Sequence, residues 1–147
     1  MLAATPALAT EWSADGFTAL HYAAFFGGDV DVARALVRAG ADATAPARNP
    51  MLVAPLHCAV ASRFDSIATM LVEEAEVDVK VRQQQGFTAL MSVAQHGDRA
   101  MVDYLIEHGA DPTLKSDTGD DAAAYAINAG HADLADHLQT LVAERSP

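Results

Sequence analysis

The chain has 147 residues, 51% of them hydrophobic and only 6% aromatic, and it carries 20 acidic against 9 basic side chains for a net charge of −11. These figures fit one domain of ordinary size with a core, and the acid excess excludes a general nucleic-acid backbone binder and disfavours an anionic membrane surface. No stretch approaches the ~18 apolar residues of a spanning helix, residues 1–9 lack the basic, then apolar, pattern of a signal peptide, and the single Cys58 cannot close an internal disulfide, which fits a reducing cytoplasm.

Internal repeats organise everything else. Gly16–Gly28 reads GFTALHYAAFFGG and Gly86–Gly97 reads GFTALMSVAQHG. Between them Ala54–Phe64 reads APLHCAVASRF, and Gly119–His131 reads GDDAAAYAINAGH, a worn fourth copy. Thr18, Ala54, Thr88 and Asp121 correspond, at spacings of 36, 34 and 33 residues. The later halves match as LVRAGAD (Leu36–Asp42), LVEEAEVD (Leu71–Asp78) and LIEHGAD (Leu105–Asp111).

In chain order, the first predicted helix covers residues 18–26. Leu20, Ala23 and Ala24 share one face, Thr18 is its N-cap, and Gly27 and Gly28 can end it in left-handed conformation. Val32, Leu36 and Val37 then line one side of a second helix that Gly40 stops. The pair recurs as 55–63 with 65–74, 88–96 with 99–108, and 122–129 with 132–143. Small residues (Ala23, Ala24, Ala59, Val93, Ala94, Ala126) suit closely packed inner helices, which lets a chain with 32 alanines build a core. The last helix puts Leu134, Leu138, Leu141 and Val142 on one face and leaves His131, Asp133, Asp136, Gln139 and Glu144 for water, as a terminal cap requires.

The pattern resembles the ankyrin repeat, a unit of 33 residues with a T-P-L-H signature and a later L-L-x-x-G-A-D. The resemblance covers residues 2–142. It implies an all-α ankyrin-repeat solenoid of stacked helix-turn-helix units with protruding hairpin-like loops, divided as a truncated repeat (1–12), repeats at 13–47, 48–82 and 83–115, and a capping repeat (116–147). Counting back one period puts Met1 and Leu2 in the last turn of a preceding outer helix. Residues 1–12 are therefore expected to be a helical stub plus a loop; either it covers the apolar side of the first full repeat, or that side is a self-association edge, or the natural gene starts upstream.

His21 and His57 occupy the signature histidine slot, where the family's imidazole bonds neighbouring backbone and holds the loops. Met91 and Ala124 take that slot in the other copies, so a shared catalytic or metal role is untenable. His57 and Cys58 are adjacent and point about 100° apart on a helix, so Cys58 reads as a small, partly buried residue. His96, His108, His131 and His137 show no zinc spacing, and His131 matches the family's Gly-His turn. Asp117, Asp120 and Asp121 lack the order and distal glutamate of a calcium loop. No phosphate-binding or nucleophile-elbow motif appears. The expectation is no enzyme, no cofactor and no metal.

The resemblance implies a partner protein bound at the concave face and loop tips. Repeat phase places Trp12, Asp15, Phe17, Phe25, Phe26, Arg48, Met51, Val53, Arg63, Arg82, Gln85, Phe87 and His96 there. Trp and Arg are enriched in binding hot spots, and the loop before Ala54 carries two extra residues. Trp12 could equally fold over the N-terminal side, and Phe25 or Phe26 turn inward. Arg63 stands where the family often has glycine. The C-terminal third is acidic, which serves solubility or steers a basic partner. The resulting reading is a non-catalytic protein-binding module, a monomer or weak homo-oligomer through the N-terminal edge, in the cytoplasm of a bacterium of high GC content. Two alternatives are a self-associating structural module and an enzyme inhibitor or regulatory subunit that uses the acidic third.

Overall fold

A computed structural model describes residues 10–145. Apart from an isolated antiparallel bridge between Arg82 and Thr88, no strand occurs among the described residues. The expected stub lies outside them but for its last three residues. The chain divides into two compact units, residues 1–78 and 79–147.

In the first unit, α1 (Ala19–Tyr22) runs directly into a π-helical turn (Ala23–Gly27), and α2 (Val30–Arg38), α3 (Pro55–Ala61) and α4 (Asp65–Glu73) follow. The π turn packs on α3, and α2 packs on α4. In the second unit a 3-10 turn (Gln84–Gly86) precedes α5 (Ala89–His96), α6 (Arg99–Glu107), α7 (Ala122–Asn128) and α8 (Ala132–Arg145). There α5 packs on α6 and α7, and α7 packs on α8.

Short polar side chains start most of these helices, because the first turn leaves backbone N–H groups without partners. Thr18 and Thr88 accept from the amides of His21 and Met91, and Asp121 accepts from Ala124 N at 3.0 Å. Asp29 and Asp98 cap the outer helices α2 and α6 in the same way. Ala54 has no such group, and Pro55 opens α3 instead, where its missing N–H costs nothing.

From each of these caps the chain runs a fixed distance to a left-handed residue. Arg63 (φ 62°), Gly97 (φ 76°) and Gly130 (φ 90°) each lie nine residues beyond the cap. In the first repeat the distance is ten, and the left-handed residue is Gly28 (φ 69°), while Gly27 stays helical. The π turn absorbs the additional residue, as i→i+5 bonding allows.

Measured from those left-handed residues, the outer helices repeat closely. Leu36, Leu71, Leu105 and Leu138 sit eight positions on and are fully buried, and Ala33, Ala68, Val102 and Ala135 line up beneath them. Each such leucine contributes roughly 1.5–3 kcal/mol on leaving water. Val32 departs from expectation: it is 41% exposed and Ala33 takes the inward place. With α2 starting at Val30, Ala33 and Leu36 share the core-facing side and Val32 is rotated about 100° away. The inner helices bury Leu20, Leu56, Leu90 and Ala123 at matching positions, together with all six expected small residues.

Repeat ends differ by one residue. After α2 and α6, the amides of Ala41 and Ala110 return to the carbonyls of Leu36 and Leu105 at 3.0 and 2.9 Å. After α4 the return to Leu71 comes from Val77, one position later, with Glu76 left-handed at φ 55°.

The imidazole of His21 is completely buried. Its Nδ1 accepts from Thr18 N at 3.1 Å and its Nε2 donates to Val53 O at 3.0 Å. His57 Nδ1 takes Ala54 N at 3.0 Å in the same manner, and in the third repeat Met91 Sδ replaces the ring, accepting from Thr88 N at 3.4 Å. Burial lowers the His21 pKa below its ordinary 6.5, outweighing its backbone bonds, so the folded chain holds the neutral ring. An unfolded chain takes up a proton near 6.5. Stability from this residue is therefore complete above pH 6.5 and is lost as pH falls through the lower folded value. Thermal melts from pH 8 to 5 should show an acid decline that is shallower in His21→Met, which keeps an acceptor for Thr18 N and costs about 1–3 kcal/mol through the lost Val53 bond.

A Cβ at Gly97 would lie 2.6 Å from the His131 ring. Gly97→Ala combines left-handed strain of about 1–2 kcal/mol with displacement of that ring. Urea titration should show a loss of at least about 2 kcal/mol.

Candidate functional site

The loop before α1 is a tight turn: Ser13 N donates to Phe17 O at 2.7 Å and Gly16 N to Ser13 O at 3.0 Å. The loop before α5 has the same bonds, from Gln83 N to Phe87 O and from Gly86 N to Gln83 O. In the first unit the longer second loop docks on this turn. Arg48 N donates to Gly16 O at 2.8 Å and Asn49 Nδ2 to Asp15 O at 2.9 Å. The approach is so close that a Cβ at Gly16 would fall 2.4 Å from Arg48 O. The loop closes on itself where Val53 O accepts from both Ala47 N and His21 Nε2. At its crest Met51 and Leu52 are exposed, with Leu52 left-handed at φ 51°.

Val53 corrects an expectation. It was placed on the binding surface, but its side chain is only 4% exposed. Its carbonyl is the anchor of the loop, and Leu52, one residue earlier, presents the apolar side chain.

Four rings form a closed group that starts at Phe17, the residue after the docked Gly16. Phe17 packs on Tyr22 (5.6 Å between centroids) and on Phe25 (6.2 Å), and Phe26 packs on Phe25 (5.6 Å) and Tyr22 (6.3 Å). Phe26 is 75% exposed, Tyr22 is at the edge of exposure, and Phe17 and Phe25 are half-buried. Phe26 therefore does not turn inward. Tyr22, whose hydroxyl donates to Ser13 Oγ at 3.1 Å, was not among the expected residues. Its spacing of four from Phe26 was the available signal.

Trp12 is half-buried, its ring 6.0 Å from that of His21, and the Arg48 guanidinium lies 4.0 Å over the indole. The Phe17 ring lies 5.7 Å from that of His21. Arg63 is exposed and left-handed, a conformation that glycine adopts without strain.

The second unit places its candidates differently. Phe87 meets Tyr125 edge-on at 5.0 Å, and Tyr125 is hydrogen-bonded to Ser116. Arg82 is exposed but donates to Lys115 O at 3.2 Å. Gln85 is exposed and left-handed, and its carbonyl accepts from Asp117 N at 2.8 Å. His96 is half-buried at the end of α5. Thus Trp12, Phe17, Phe25, Phe26 and Arg48 come together, whereas Arg82, Gln85 and Phe87 are tied to the following repeat.

Cys58 is fully buried, and burial pushes its thiol up to about 12, which leaves it protonated and unreactive near neutrality. Asp121 is a helix cap and Asp120 accepts from Thr118. His137 Nε2 donates to Asp103 at 2.6 Å, and Arg99 donates to its Nδ1 at 3.2 Å, tying α8 to α6. Among the described residues no group of three or more His, Cys, Asp or Glu side chains could hold a metal ion, and no helix is long and apolar enough to cross a membrane.

Family models match nearly all of this architecture: ankyrin repeats (3 copies) over residues 56–144, and a single ankyrin repeat over residues 15–48. The chain is 32% identical over 120 residues to neurogenic locus notch homolog protein 1 of Danio rerio, covering 82% of this chain and 5% of that protein. It is 35% identical over 111 residues to human neurogenic locus notch homolog protein 2, covering 76% of this chain and 4% of that protein. It is also similar to ANK repeat-containing protein nipk-1 of Caenorhabditis elegans, at 26% over 136 residues, covering 84% of this chain and 22% of that protein. The chain thus spans a small part of the length of these relatives. With its caps, its buried signature histidines and its leucine register, the chain belongs to the ankyrin repeat family.

Proposed function

We propose that this chain is a non-catalytic protein-binding module whose principal contact surface is the ring group of the first unit together with the Met51–Leu52 crest. Ankyrin repeats generally mediate binding to other proteins. The observation that carries the reading is the exposure, within one unit, of the stacked pair Tyr22 and Phe26 and of Met51 and Leu52, the latter two on a loop held by Gly16, Asp15 and Val53. Clustered apolar groups exposed on a soluble domain mark interaction sites, and a loop already ordered loses little entropy on binding. Arg63, Arg82, Gln85 and His96 serve as secondary contacts at their own loops and helix ends. A reducing cytoplasm, where the Cys58 thiol persists, is the compartment this reading fits.

Affinity capture from a lysate of the source organism tests it, with wild-type chain compared against a Phe26→Ala, Met51→Ala double variant of unchanged circular dichroism. Partners retained by wild type should fall at least about tenfold with the double variant, as hot-spot removal does. Equal recovery would place the contact surface elsewhere.

A further inference from the structure

Resting on that reading, we infer that the first unit binds a partner protein through a short segment that combines apolar side chains with a carboxylate, the carboxylate engaging Arg48 and the apolar groups the four-ring group. Arg48 carries the argument. In a chain with about two acids for every base, Arg48 is exposed and takes part in no ion pair among the described residues. By contrast, Arg34 is held by both Asp31 and Glu74 at 2.9 Å. Asp15, whose carbonyl receives Asn49, brings no carboxylate oxygen within ion-pair distance of Arg48. The indole of Trp12 covers one face of the guanidinium at 4.0 Å. A stacked guanidinium keeps its N–H edge outward, in the fork geometry that receives a carboxylate through two parallel bonds. Stacking also fixes the long side chain in advance, so less entropy is lost when the carboxylate arrives.

The neighbouring surface is apolar and aromatic. Three separations, 4.0 Å from Arg48 to Trp12, 6.0 Å from Trp12 to the buried His21 and 5.7 Å from His21 to Phe17, set an upper bound on the distance from the guanidinium to that surface. An extended segment rising about 3.3 Å per residue spans that bound in about five residues. The complementary segment therefore has Asp or Glu within about five positions of Leu, Ile, Phe or Trp. A basic segment would set like charge against Arg48, and a wholly apolar one would leave the guanidinium edge without an acceptor as water is excluded.

The test pans a phage-displayed library of random twelve-residue peptides against the full chain, then measures the enriched peptides by fluorescence anisotropy. The receptors are wild type, Arg48→Glu, Arg48→Gln and Phe26→Ala, each checked by circular dichroism and melting. The expected consensus places an acidic residue within five positions of an apolar one. Affinity should fall at least about tenfold for Arg48→Glu and for Phe26→Ala, and by less for Arg48→Gln. Raising salt should weaken binding to wild type but not to Arg48→Gln. Peptides weakened by Phe26→Ala yet indifferent to Arg48→Glu, or a consensus without acid, would overturn the acidic-segment proposal and leave the surface standing. Peptides indifferent to both changes, or no enrichment over an unrelated protein, would overturn the proposal and the surface together.

Discussion

The buried imidazole of His21 links the framework of the first unit to its surface. Its Nδ1 takes the amide at the start of α1, and its Nε2 reaches the carbonyl at the end of the long second loop. That carbonyl also receives Ala47 N, so one oxygen closes the loop and anchors it to the inner helix. The rings of both Trp12 and Phe17 lie against it. A polar group this deeply buried is tolerable only with partners, and here it has them on both nitrogens. What is displayed to solvent, Arg48 on its indole and Met51 and Leu52 at the crest, is positioned by a residue that solvent does not reach.

The second unit achieves a similar inner-helix start with less. Met91 offers a single sulfur where His21 offers two ring nitrogens, and Ala124 offers no side-chain group, Asp121 alone serving the cap. Its loops are joined, as in the first unit, by backbone and side-chain bonds, here from Asp117 N to Gln85 O and from Arg82 to Lys115 O. The second of these bonds engages the Arg82 guanidinium, whereas the Arg48 guanidinium of the first unit lies over Trp12 and makes no ion pair among the described residues, and Phe87 is covered on one side by Tyr125. Chemically similar loop residues can therefore be part of the scaffold in one repeat and part of the surface in another.

Helix positions were legible because they depend on local rules applied four times: a cap, a small-residue helix, a left-handed stop and a leucine eight residues on. Thr18, Thr88 and Asp121 show it at the caps, and Leu36, Leu71 and Leu105 in the core. The candidate surface was legible in part. Trp12, Phe17, Phe26 and Arg48 followed from repeat phase. Val53 did not, because the two residues added before Ala54 rearrange the loop so that Leu52 faces out and Val53 in. Tyr22 was missed beside the signature histidine, although its spacing of four from Phe26 puts the two on one helix face. Val32 failed for a plainer reason: Ala33, three residues before Leu36, shares its face as well as Val32 does, and it is Ala33 that faces the core.

The π turn shows how such a surface can change without disturbing what lies beneath it. The first inner helix holds one residue more than its counterparts, yet its cap and its stop still serve the neighbouring helices as they do elsewhere in the chain. The surplus is taken up inside the helix, in the stretch that carries Phe25 and Phe26. An insertion of a single codon is ordinarily ruinous in a packed helix, since every later side chain rotates by about 100°. Confined to one widened turn, it becomes a source of variation, by which a repeat gains a new exposed aromatic position while its inherited architecture stays in register.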